Sequence, residues 1–313
     1  MRDIVYACDN NYIEQTIVSM VSLLKKNCYP IQFWIVSDHI TEENQRIIQD
    51  KTSSYQRKIT FLNVDDVLDG VEIASGERHP KTVYTKLFLE TIIGAERILY
   101  LDSDTVVNGS LEELWKRDMS RELAAGVQMP YSVKVKSGMD IAETSPYLCD
   151  GIVLLNLQLW RMLEIGAKCK SYISEHEGQP PMLSEGTLNY VCQGYIGVLK
   201  PEYNLMPSMI LYTREQIEKL FKMEGYYSEQ ELDAARKYPI IIHYINELYN
   251  RPWLEPCDHP YKMFYREEYK ELFGECPYQF QRISKNTRMT RLLRKTLPFF
   301  VFSRLYHLKH KEI

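Results

Sequence analysis

The sequence predicts an α/β protein in which helices cover both faces of a mostly parallel β-sheet. Short runs of β-branched and aromatic residues alternate along the chain with longer segments of helical periodicity, which is the pattern of such sheets. The chain has 313 residues, enough to bury a large core. Ligands on these sheets bind beyond the carboxyl ends of the strands, so polar residues directly after a strand are the first site candidates.

Six strands are predicted, because each of these segments is a short apolar run of β-branched or aromatic residues. They span residues 3–8, 31–37, 59–64, 97–101, 151–157 and 239–244. Between them, residues 13–26 place apolar side chains at helical spacing, Thr41 is typical of a helix N-cap, and residues 110–113 resemble a capping box. Further helices are predicted over residues 82–93, 158–174 and 186–193.

The formal net charge of −4 is modest and unevenly distributed. Residues 282–313, here called the basic tail, contain nine Lys/Arg and one acidic residue. The tail therefore carries a formal charge of +8, and the rest of the chain carries −12. Because the body lacks the basic surface that nucleic-acid binding needs, we expect no nucleic-acid partner. The tail is predicted to have a partner of its own.

The seven cysteines are odd in number and include no CxxC pair, which argues against a disulfide framework and against a zinc site. The first residues include an acidic side chain at position 3 and no apolar stretch of signal length. No segment reaches the roughly 20 apolar residues of a membrane-spanning helix. We therefore expect a cytoplasmic protein with no export signal and no spanning helix.

Two carboxylates, Asp102 and Asp104, directly follow a predicted strand, with Ser103 between them. Two carboxylates at this spacing can reach one hard cation, Mg²⁺ or Mn²⁺. His243 closes another predicted strand, so the same edge of the sheet is expected to bring its imidazole to the carboxylates, which favours Mn²⁺. An ordinary acidic turn and a buried core histidine are the alternative interpretations.

Four further residues could bind the parts of a nucleotide. Arg251 could grip a phosphate, because its planar guanidinium matches phosphate oxygens. After the first strand, Asp9 and Asn11 offer hydrogen bonds to a base edge, and Tyr12 offers a ring for stacking. A surface cation before a proline and a plain polar turn are the alternatives. The sequence has no glycine-rich phosphate motif, so a bound diphosphate must be neutralised by a cation and by side chains.

Six segments stand in a characteristic order between about residue 3 and residue 253. They read DIVYACDNNY, YTKLFLE, ILYLDSDTVVNGSLEELW, CDGIVLLNLQLWR, EGTLN and HYINELYNRPW. Together they resemble glycosyltransferase family 8, which includes bacterial lipooligosaccharide galactosyltransferases and glycogenin. The resemblance implies a GT-A fold for residues 1–255, a UDP-sugar donor, a divalent cation (usually Mn²⁺) and retention at the anomeric carbon.

The resemblance also implies roles for single residues. Lys86 stands where the family often has Arg and would contact the donor, and Arg251 would take the place of the phosphate-gripping Lys. We also expect Gln128 to hydrogen-bond a sugar hydroxyl and His79 to lie on the acceptor side. The implied metal ligands are Asp102, Asp104 and His243, with Ser103 in the same donor-binding segment, and the implied uridine contacts are Asp9, Asn11 and Tyr12.

Two departures from the family pattern affect the expected sugar pocket. Cys149-Asp150 stands where the family commonly has Asn-Ala, and Ser184-Glu185-Gly186 stands where Asp-Gln-Asp is common. Glu185 thereby takes the position of the Gln near the reacting carbon. It is chemically able to act as a nucleophile, Asp150 is a second candidate, and attack from the leaving-group face is a third route. A carboxylate favoured at a helix N-terminus is the alternative interpretation of Glu185.

The basic tail interleaves cations with Leu and Phe, a composition typical of segments that lie on an anionic membrane surface. The alternative is a final helix packed on the domain with its cations in water. We assign residues 256–313 to a C-terminal helical extension. The predicted reaction is transfer of a hexose, glucose or galactose, to a saccharide or lipid-linked saccharide acceptor. Surface polysaccharide or lipooligosaccharide synthesis, at the inner face of the plasma membrane, is the expected setting.

Two other functions are compatible with the same residues. A metal-dependent hydrolytic or phosphoryl-transfer enzyme could use the two carboxylates, and it would cleave phosphate esters without needing a sugar nucleotide. A non-catalytic nucleotide-sugar binding protein would bind UDP with a metal ion and show no turnover.

Overall fold

The computed structural model describes residues 1–74, 81–246, 248–275, 278–280 and 285–309, with the backbone alone at residues 285–287 and 309. His79 therefore lies outside the described residues, as does part of the basic tail. The strands, in chain order, are β1 (Arg2–Ala7), β2 (Ile31–Ser37), β3 (Arg57–Asn63), β4 (Ile98–Leu101), β5 (Thr105–Val107), β6 (Ala124–Gln128), β7 (Leu148–Leu155), β8 (Ile196–Val198), β9 (Ile241–His243), β10 (Leu254–Glu255) and β11 (Gln279–Phe280).

Seven of these strands form one central sheet in the order β3-β2-β1-β4-β7-β6-β8. All neighbouring pairs are parallel except the two that involve β7, which runs against both β4 and β6. The predicted fold class, a mostly parallel sheet flanked by helices, is confirmed. The predicted strand at 151–157 begins earlier than expected, and because of its reversed direction its first residues lie at the carboxyl ends of β1 and β4.

The predicted strand at 239–244 is shorter than expected and does not belong to the central sheet. The observed strand, β9, pairs antiparallel with β5 in a separate two-stranded sheet. Strand β5 was not predicted, because it has only three residues and follows the two carboxylates without a turn signal. This small sheet places β9 next to the end of β4.

Fourteen α-helices occur among the described residues. Three-residue or longer 3₁₀ helices lie at Asn10–Tyr12, Lys81–Leu87, Leu89–Thr91 and Pro201–Tyr203. The α-helices are α1 (Ile13–Lys26), α2 (Glu42–Lys51), α3 (Val64–Val67), α4 (Glu112–Lys116), α5 (Val133–Ser137), α6 (Leu157–Met162), α7 (Ile165–Glu175), α8 (Leu183–Cys192), α9 (Pro207–Leu211), α10 (Arg214–Phe221), α11 (Glu229–Lys237), α12 (Lys262–Phe273), α13 (Lys285–Thr296) and α14 (Phe299–Lys309).

The predicted helix at 82–93 is instead two short 3₁₀ helices. Its first turn is rich in β-branched residues, which restrict side-chain rotamers in an α-helix. The hydroxyl of Thr85 also donates to the carbonyl of Thr82 at 2.7 Å, a local bond that competes with regular helix formation. The buried side chain of Lys86 lies within the first of these 3₁₀ helices.

Two other predicted helix features need correction. The helix expected over 158–174 is interrupted between α6 and α7, where Glu164 has a left-handed backbone with φ of 52°. The capping box expected at 110–113 does not form. The hydroxyl of Ser110 accepts from the backbone N–H of Glu112 at 3.2 Å, and α4 begins after Leu111, which has no capping side chain. Thr41 does cap α2, because its hydroxyl accepts from the backbone N–H of Asn44 at 3.3 Å.

The central sheet is buried on both faces. In β1, Ile4 and Tyr6 belong to the core under α1, whereas Val5 belongs to the core under α7 and α8. Such two-sided burial explains why the strands read as continuous apolar runs and not as alternating ones. The site described below lies at the edge of this sheet.

The C-terminal helices contact the rest of the chain. On α12, Glu268 and Glu271 each pair with Lys25 of α1 at 2.7 Å. The side chain of Phe302 on α14 is 3% exposed, and Nε2 of His307 lies 2.9 Å from the carbonyl of Leu220 on α10. None of the helices in the described ranges combines the length and the apolar composition that crossing a bilayer requires.

Candidate active site

The carboxyl ends of β1 and β4 open on the same edge of the sheet, because these parallel strands are neighbours. The loop after β1 is held by Asp9, whose Oδ1 accepts from the backbone N–H groups of Asn11 at 2.8 Å and Tyr12 at 3.2 Å. The chain after β4 leads directly into Asp102 and Asp104. The two polar segments singled out in the sequence therefore lie side by side.

Asp102, Asp104 and His243 offer three ligand atoms that all lie within 4.8 Å of one another. Nε2 of His243 is 3.1 Å from Oδ1 of Asp104 and 3.7 Å from Oδ2 of Asp102. The three side chains expected to converge do so, although their role as metal ligands stays a prediction. The β5–β9 pairing places the imidazole beside the carboxylates, because it sets Thr105 directly opposite His243.

Three buried hydroxyls on α1 hold the segment that contains the two carboxylates. Thr16 donates to the hydroxyl of Ser103 at 2.8 Å, and the hydroxyls of Ser19 and Thr105 lie 2.7 Å apart. The Ser22 hydroxyl accepts a backbone N–H of β5 at 2.9 Å. Their spacing of three residues along an otherwise apolar helix face is the feature of the sequence that could have predicted this shared role.

Gly151, the fourth residue of β7, lies against Asp102 and His243. A Cβ at this position would meet Oδ2 of Asp102 at 2.4 Å and Cε1 of His243 at 2.6 Å. Real Cβ contacts are not this short, so any side chain here would displace one of the two groups. The glycine is therefore required by the close approach of β7 to the two side chains.

The charges in this group shift one another's pKa values. Burial alone would raise the pKa of Asp104, but the neighbouring charges of His243 and Arg251 hold it well below its usual range. Burial raises the pKa of Asp102, and the charge of Lys86 opposes this. Burial would lower the pKa of His243, but Asp104 raises it well above the ordinary value. The group therefore favours ionised Asp104 paired with cationic partners.

Arg251 connects the carboxylates to the loop after β1. Its Nη2 is 2.8 Å from Oδ2 of Asp104, and its Nη1 donates to the hydroxyl of Tyr12 at 2.8 Å. The guanidinium carbon also lies 5.7 Å from the ring centroid of Trp253. These contacts orient a cation with several N–H donors toward the edge where β1 and β4 end.

Two clefts meet at these residues. The first has a volume of about 420 Å³ and holds Asp9 and Tyr12 at its wall, together with Asp102, Asp104 and Arg251. The second, of about 360 Å³, shares Val83, Tyr100, Asp102, Asp104 and Arg251 with the first. It is further lined by Lys86, Met129, Tyr131, Cys149, Asp150, Gly151, Met182, Leu183, Ser184, Glu185, His243 and Ile245.

A buried ion pair forms one wall of the second cleft. Nζ of Lys86 is 3.0 Å from Oδ2 of Asp150 and donates to the carbonyl of the same residue at 3.0 Å. The hydroxyl of Ser184 donates to Oδ2 of Asp150 at 2.6 Å. The Lys86 ammonium also lies 4.2 Å from the ring centroid of Tyr100. One oxygen of Asp150 thus has two donors, which hold its carboxylate in place.

Glu185 lies in the first turn of α8, beside this ion pair. Burial and the negative charge of Asp150 raise the pKa of Glu185 to about 8, although Lys86 opposes the shift. The start of α8 is tightly built, because a Cβ at Gly186 would meet the carbonyl oxygen of Pro181 at 2.0 Å. This contact gives a physical reason for glycine where the family commonly has Asp.

Not every predicted site residue reaches a cleft. The side chain of Asn11 bonds Oδ2 of Asp9 at 3.3 Å and does not line the first cleft. Gln128 lines neither cleft, and its backbone is bonded to Tyr226 and Tyr227. Tyr100 lines both clefts but was not predicted as a site residue. Its position two residues before Asp102 on a strand places the two side chains on the same face.

The residues present fit a divalent cation. Two carboxylates and an imidazole supply oxygen and nitrogen donors that suit Mn²⁺. Gly151 leaves the space between Asp102 and His243 free of a side chain. The set contains no thiolate, so it does not resemble a structural zinc site.

Comparison with known proteins gives consistent matches over most of the chain. The model of the family described as Glycosyl transferase family 8 matches residues 3–257. The chain is 24% identical over 297 residues to the lipopolysaccharide 1,2-glucosyltransferase of Escherichia coli, covering 88% of this chain and 86% of that protein. It is 24% identical over 274 residues to general stress protein A of Bacillus subtilis, covering 85% and 91%.

Solved structures share the fold. The galactosyltransferase LgtC, in complex with donor and acceptor sugar analogs, matches with a TM-score of 0.70 at 19% identity. The match covers 92% of this chain and 99% of that chain.

Proposed function

The chain belongs to glycosyltransferase family 8, and from this premise we propose that it is a retaining hexosyltransferase with a UDP-sugar donor. The observation that carries the proposal is the meeting of two clefts at Asp102, Asp104 and Arg251. One cleft brings Asp9 and Tyr12 to the same wall as Arg251, which suits a nucleotide, and the other contains the carboxylates of Asp150 and Glu185, which suit a sugar. A diphosphate would lie where they join.

We assign the first cleft to the nucleotide. Tyr12 supplies a ring for the base, and Asp9 supplies hydrogen-bond acceptors, although its Oδ1 is already occupied by backbone N–H groups. The guanidinium of Arg251 binds phosphate oxygens through its planar fork. In this role Arg251 shares its donors between Asp104 and the diphosphate.

Asp102, Asp104 and His243 would hold the divalent cation, for which Mn²⁺ is the preferred candidate and Mg²⁺ the alternative. When bound, such an ion offsets the negative charge that develops on the departing diphosphate. Arg251 adds a second positive charge on the same side of the leaving group. Lys86 lies deeper, where its ammonium orients Asp150 and contacts the donor sugar.

We assign catalysis to the carboxylates of the second cleft. In a double displacement, the ionised carboxylate of Glu185 attacks the anomeric carbon as the bond to the β-phosphate oxygen breaks. The acceptor hydroxyl then displaces the carboxylate and transfers its proton to the released β-phosphate. Asp150 is the second candidate, but one of its oxygens already has two donors, which lowers its nucleophilicity. Front-face attack without a covalent intermediate is the third route.

The decisive experiment compares Asp104→Asn with the matched control Asp38→Asn. Asp38 follows β2 at the same edge of the sheet but is exposed and lines neither cleft. A panel of UDP-sugars with Mn²⁺ is assayed for UDP release. The Asp104 variant should lose transfer at least about 100-fold, as expected when a charge-stabilising group is removed, while the control keeps it. Transfer that survives in the Asp104 variant, or in excess chelator, contradicts the proposal.

For the acceptor we propose a saccharide or lipid-linked saccharide, with the enzyme in the cytoplasm and in peripheral contact with the inner membrane surface. Support comes from the outer face of α13 and α14. Met289, Leu292 and Phe300 are each 55% exposed there, beside the exposed cations Arg288 and Arg304. Exposed apolar side chains among cations suit an anionic bilayer.

A further inference from the structure

We propose that Asn204 is a positioning residue for the metal centre. Its side-chain oxygen keeps a proton on Nδ1 of His243 and thereby leaves Nε2 available to the cation. The inference rests on the proposed metal centre at Asp102, Asp104 and His243, and it adds to that centre a residue that no ligand motif contains.

The contact itself sets the direction of the hydrogen bond. Oδ1 of Asn204 lies 3.1 Å from Nδ1 of His243. An amide oxygen can only accept, so Nδ1 must carry a hydrogen. When a metal ion takes the place of the second proton, the imidazole is neutral and has one ring proton; with that proton on Nδ1, the lone pair on Nε2 is available to the ion. Nε2 is the nitrogen that faces Asp104 and Asp102.

The backbone holds the two residues in register. The N–H of Leu205 donates to the carbonyl of Ile241 at 2.9 Å, and the N–H of His243 donates to the carbonyl of Leu205 at 3.2 Å. Asn204 is 0% exposed, so water does not compete for its oxygen. The chain therefore presents Asn204 to the imidazole ring from a paired segment that cannot move independently of β9.

The orientation of the amide depends on the contact with His243. Nδ2 of Asn204 is buried and has no hydrogen-bond partner among the described residues. The contact at Oδ1 is therefore the side-chain hydrogen bond that distinguishes the two orientations of this amide. In the flipped orientation, Nδ2 would donate to Nδ1 and the ring proton would lie on Nε2, where it would block the cation.

The experiment measures Mn²⁺ affinity by titration calorimetry without any donor present. Asn204→Leu, which is similar in size, and Asn204→Ala both remove the acceptor and should weaken binding by about 10- to 100-fold, the usual effect of losing such an outer partner. Asn204→Asp keeps an acceptor and should bind Mn²⁺ at least as tightly as the wild type.

The control is Asn27→Ala, which also removes a buried asparagine that bonds two backbone segments, the carbonyl of Leu23 and the N–H of Leu111. It should lower the melting temperature and leave Mn²⁺ affinity unchanged. Pulsed EPR of bound Mn²⁺ should show nitrogen coupling from the imidazole in the wild type and the Asp variant, and weaker coupling in the Leu and Ala variants.

Wild-type affinity in a folded Leu or Ala variant overturns the inference. Failure of the wild type to bind Mn²⁺ overturns the proposed metal centre and, with it, this role of Asn204. If both apolar variants fail to fold, ¹⁵N NMR of the metal-free wild type, at a pH high enough to give a neutral imidazole, decides the question. A proton on Nδ1 and none on Nε2 of His243 supports the inference, and the reverse overturns it.

Discussion

Gly151 has no space for a side chain, because β7 passes directly beneath Asp102 and His243. Gly151→Ala should therefore displace these side chains and weaken Mn²⁺ binding by at least about tenfold. Gly94→Ala is the matched control, since a Cβ at Gly94 has nothing within 4 Å. Calorimetric titration of both variants with Mn²⁺ checks the prediction. Unchanged affinity in the Gly151 variant would show that the ion binds elsewhere.

The raised pKa of Glu185 predicts a pH-dependent stability. The ordinary pKa of the unfolded chain is 4.5, and that of the folded protein is about 8. Between these values the folded state binds the additional proton, so this carboxyl destabilises the protein progressively as the pH rises from about 4.5 to about 8. Above that range its contribution is constant.

Glu185→Gln removes this titration and leaves the other groups in place. The stability of the wild type relative to the variant should fall between pH 5 and pH 8, measured as melting temperatures in matched buffers. Parallel pH profiles of the melting temperature for the two proteins would mean that the pKa of Glu185 in the folded protein is close to its ordinary value.

At the residue scale, the sequence predicts the groups whose chemistry is distinctive. Asp102 and Asp104 follow an apolar strand, and Arg251 and His243 lie in a recognisable segment, so their convergence could be expected. Asn204 could not be found in this way, because its importance depends on the register between its segment and β9. The hydroxyls of Thr16, Ser19 and Ser22 on α1 could have been found from their regular spacing of three residues.

At the element scale, long periodic helices and apolar strands are predicted well and short ones are not. α1, β2 and the N-cap of α2 are found where expected. β5 has three residues, too few for an alternation pattern to appear. The 3₁₀ segment from Lys81–Leu87 has the apolar spacing of a helix, and only its β-branched residues indicate a tighter form.

Two phenylalanines on α14, Phe302 and Phe300, have opposite environments: the first packs in the core and the second lies at the surface. Phe302 is 3% exposed and Phe300 is 55% exposed. Phe302→Ala should destabilise the protein by about 3 kcal/mol, because it creates a cavity in the core. Phe300→Ala should change stability by less than about 0.5 kcal/mol. Denaturant unfolding of both variants measures these differences.

The same pair tests the proposed membrane contact. Phe300→Ala should reduce sedimentation with phosphatidylglycerol-containing liposomes, since burial of a phenyl ring contributes roughly 1.5–3 kcal/mol. Charge reversal at Arg304 should reduce it further in low salt, because an anionic surface attracts each nearby cation. Liposome binding that is equal for the wild type and these variants would contradict the proposed contact.

At the scale of the whole molecule, donor and metal should stabilise the domain together. In the proposed site, UDP and Mn²⁺ would bind residues from both ends of the domain, and the unfolded chain has no comparable site. At a free ligand concentration about 100 times Kd, binding adds about 2.7 kcal/mol of stability. The melting temperature should rise with both ligands by more than the sum of the two separate shifts, and chelator should remove the gain. Additive or absent shifts would argue against a shared site.

The overall architecture is predictable because alternating strands and helices allow few arrangements. The antiparallel direction of β7 could not be predicted from the sequence, because nothing in its composition distinguishes an antiparallel buried strand from a parallel one. The division of the chain at residue 255 stays a prediction, although α12 and α14 both contact earlier helices.

The β5–β9 pairing has a consequence for the order of assembly during synthesis. The first cleft draws on the opening residues of the chain, whereas His243 and Arg251 emerge from the ribosome only after more than three quarters of it. A nascent or prematurely terminated chain can build most of the sheet and still have no complete ion-binding edge. Ligand bound at that edge thus stabilises only a chain that extends at least to Arg251.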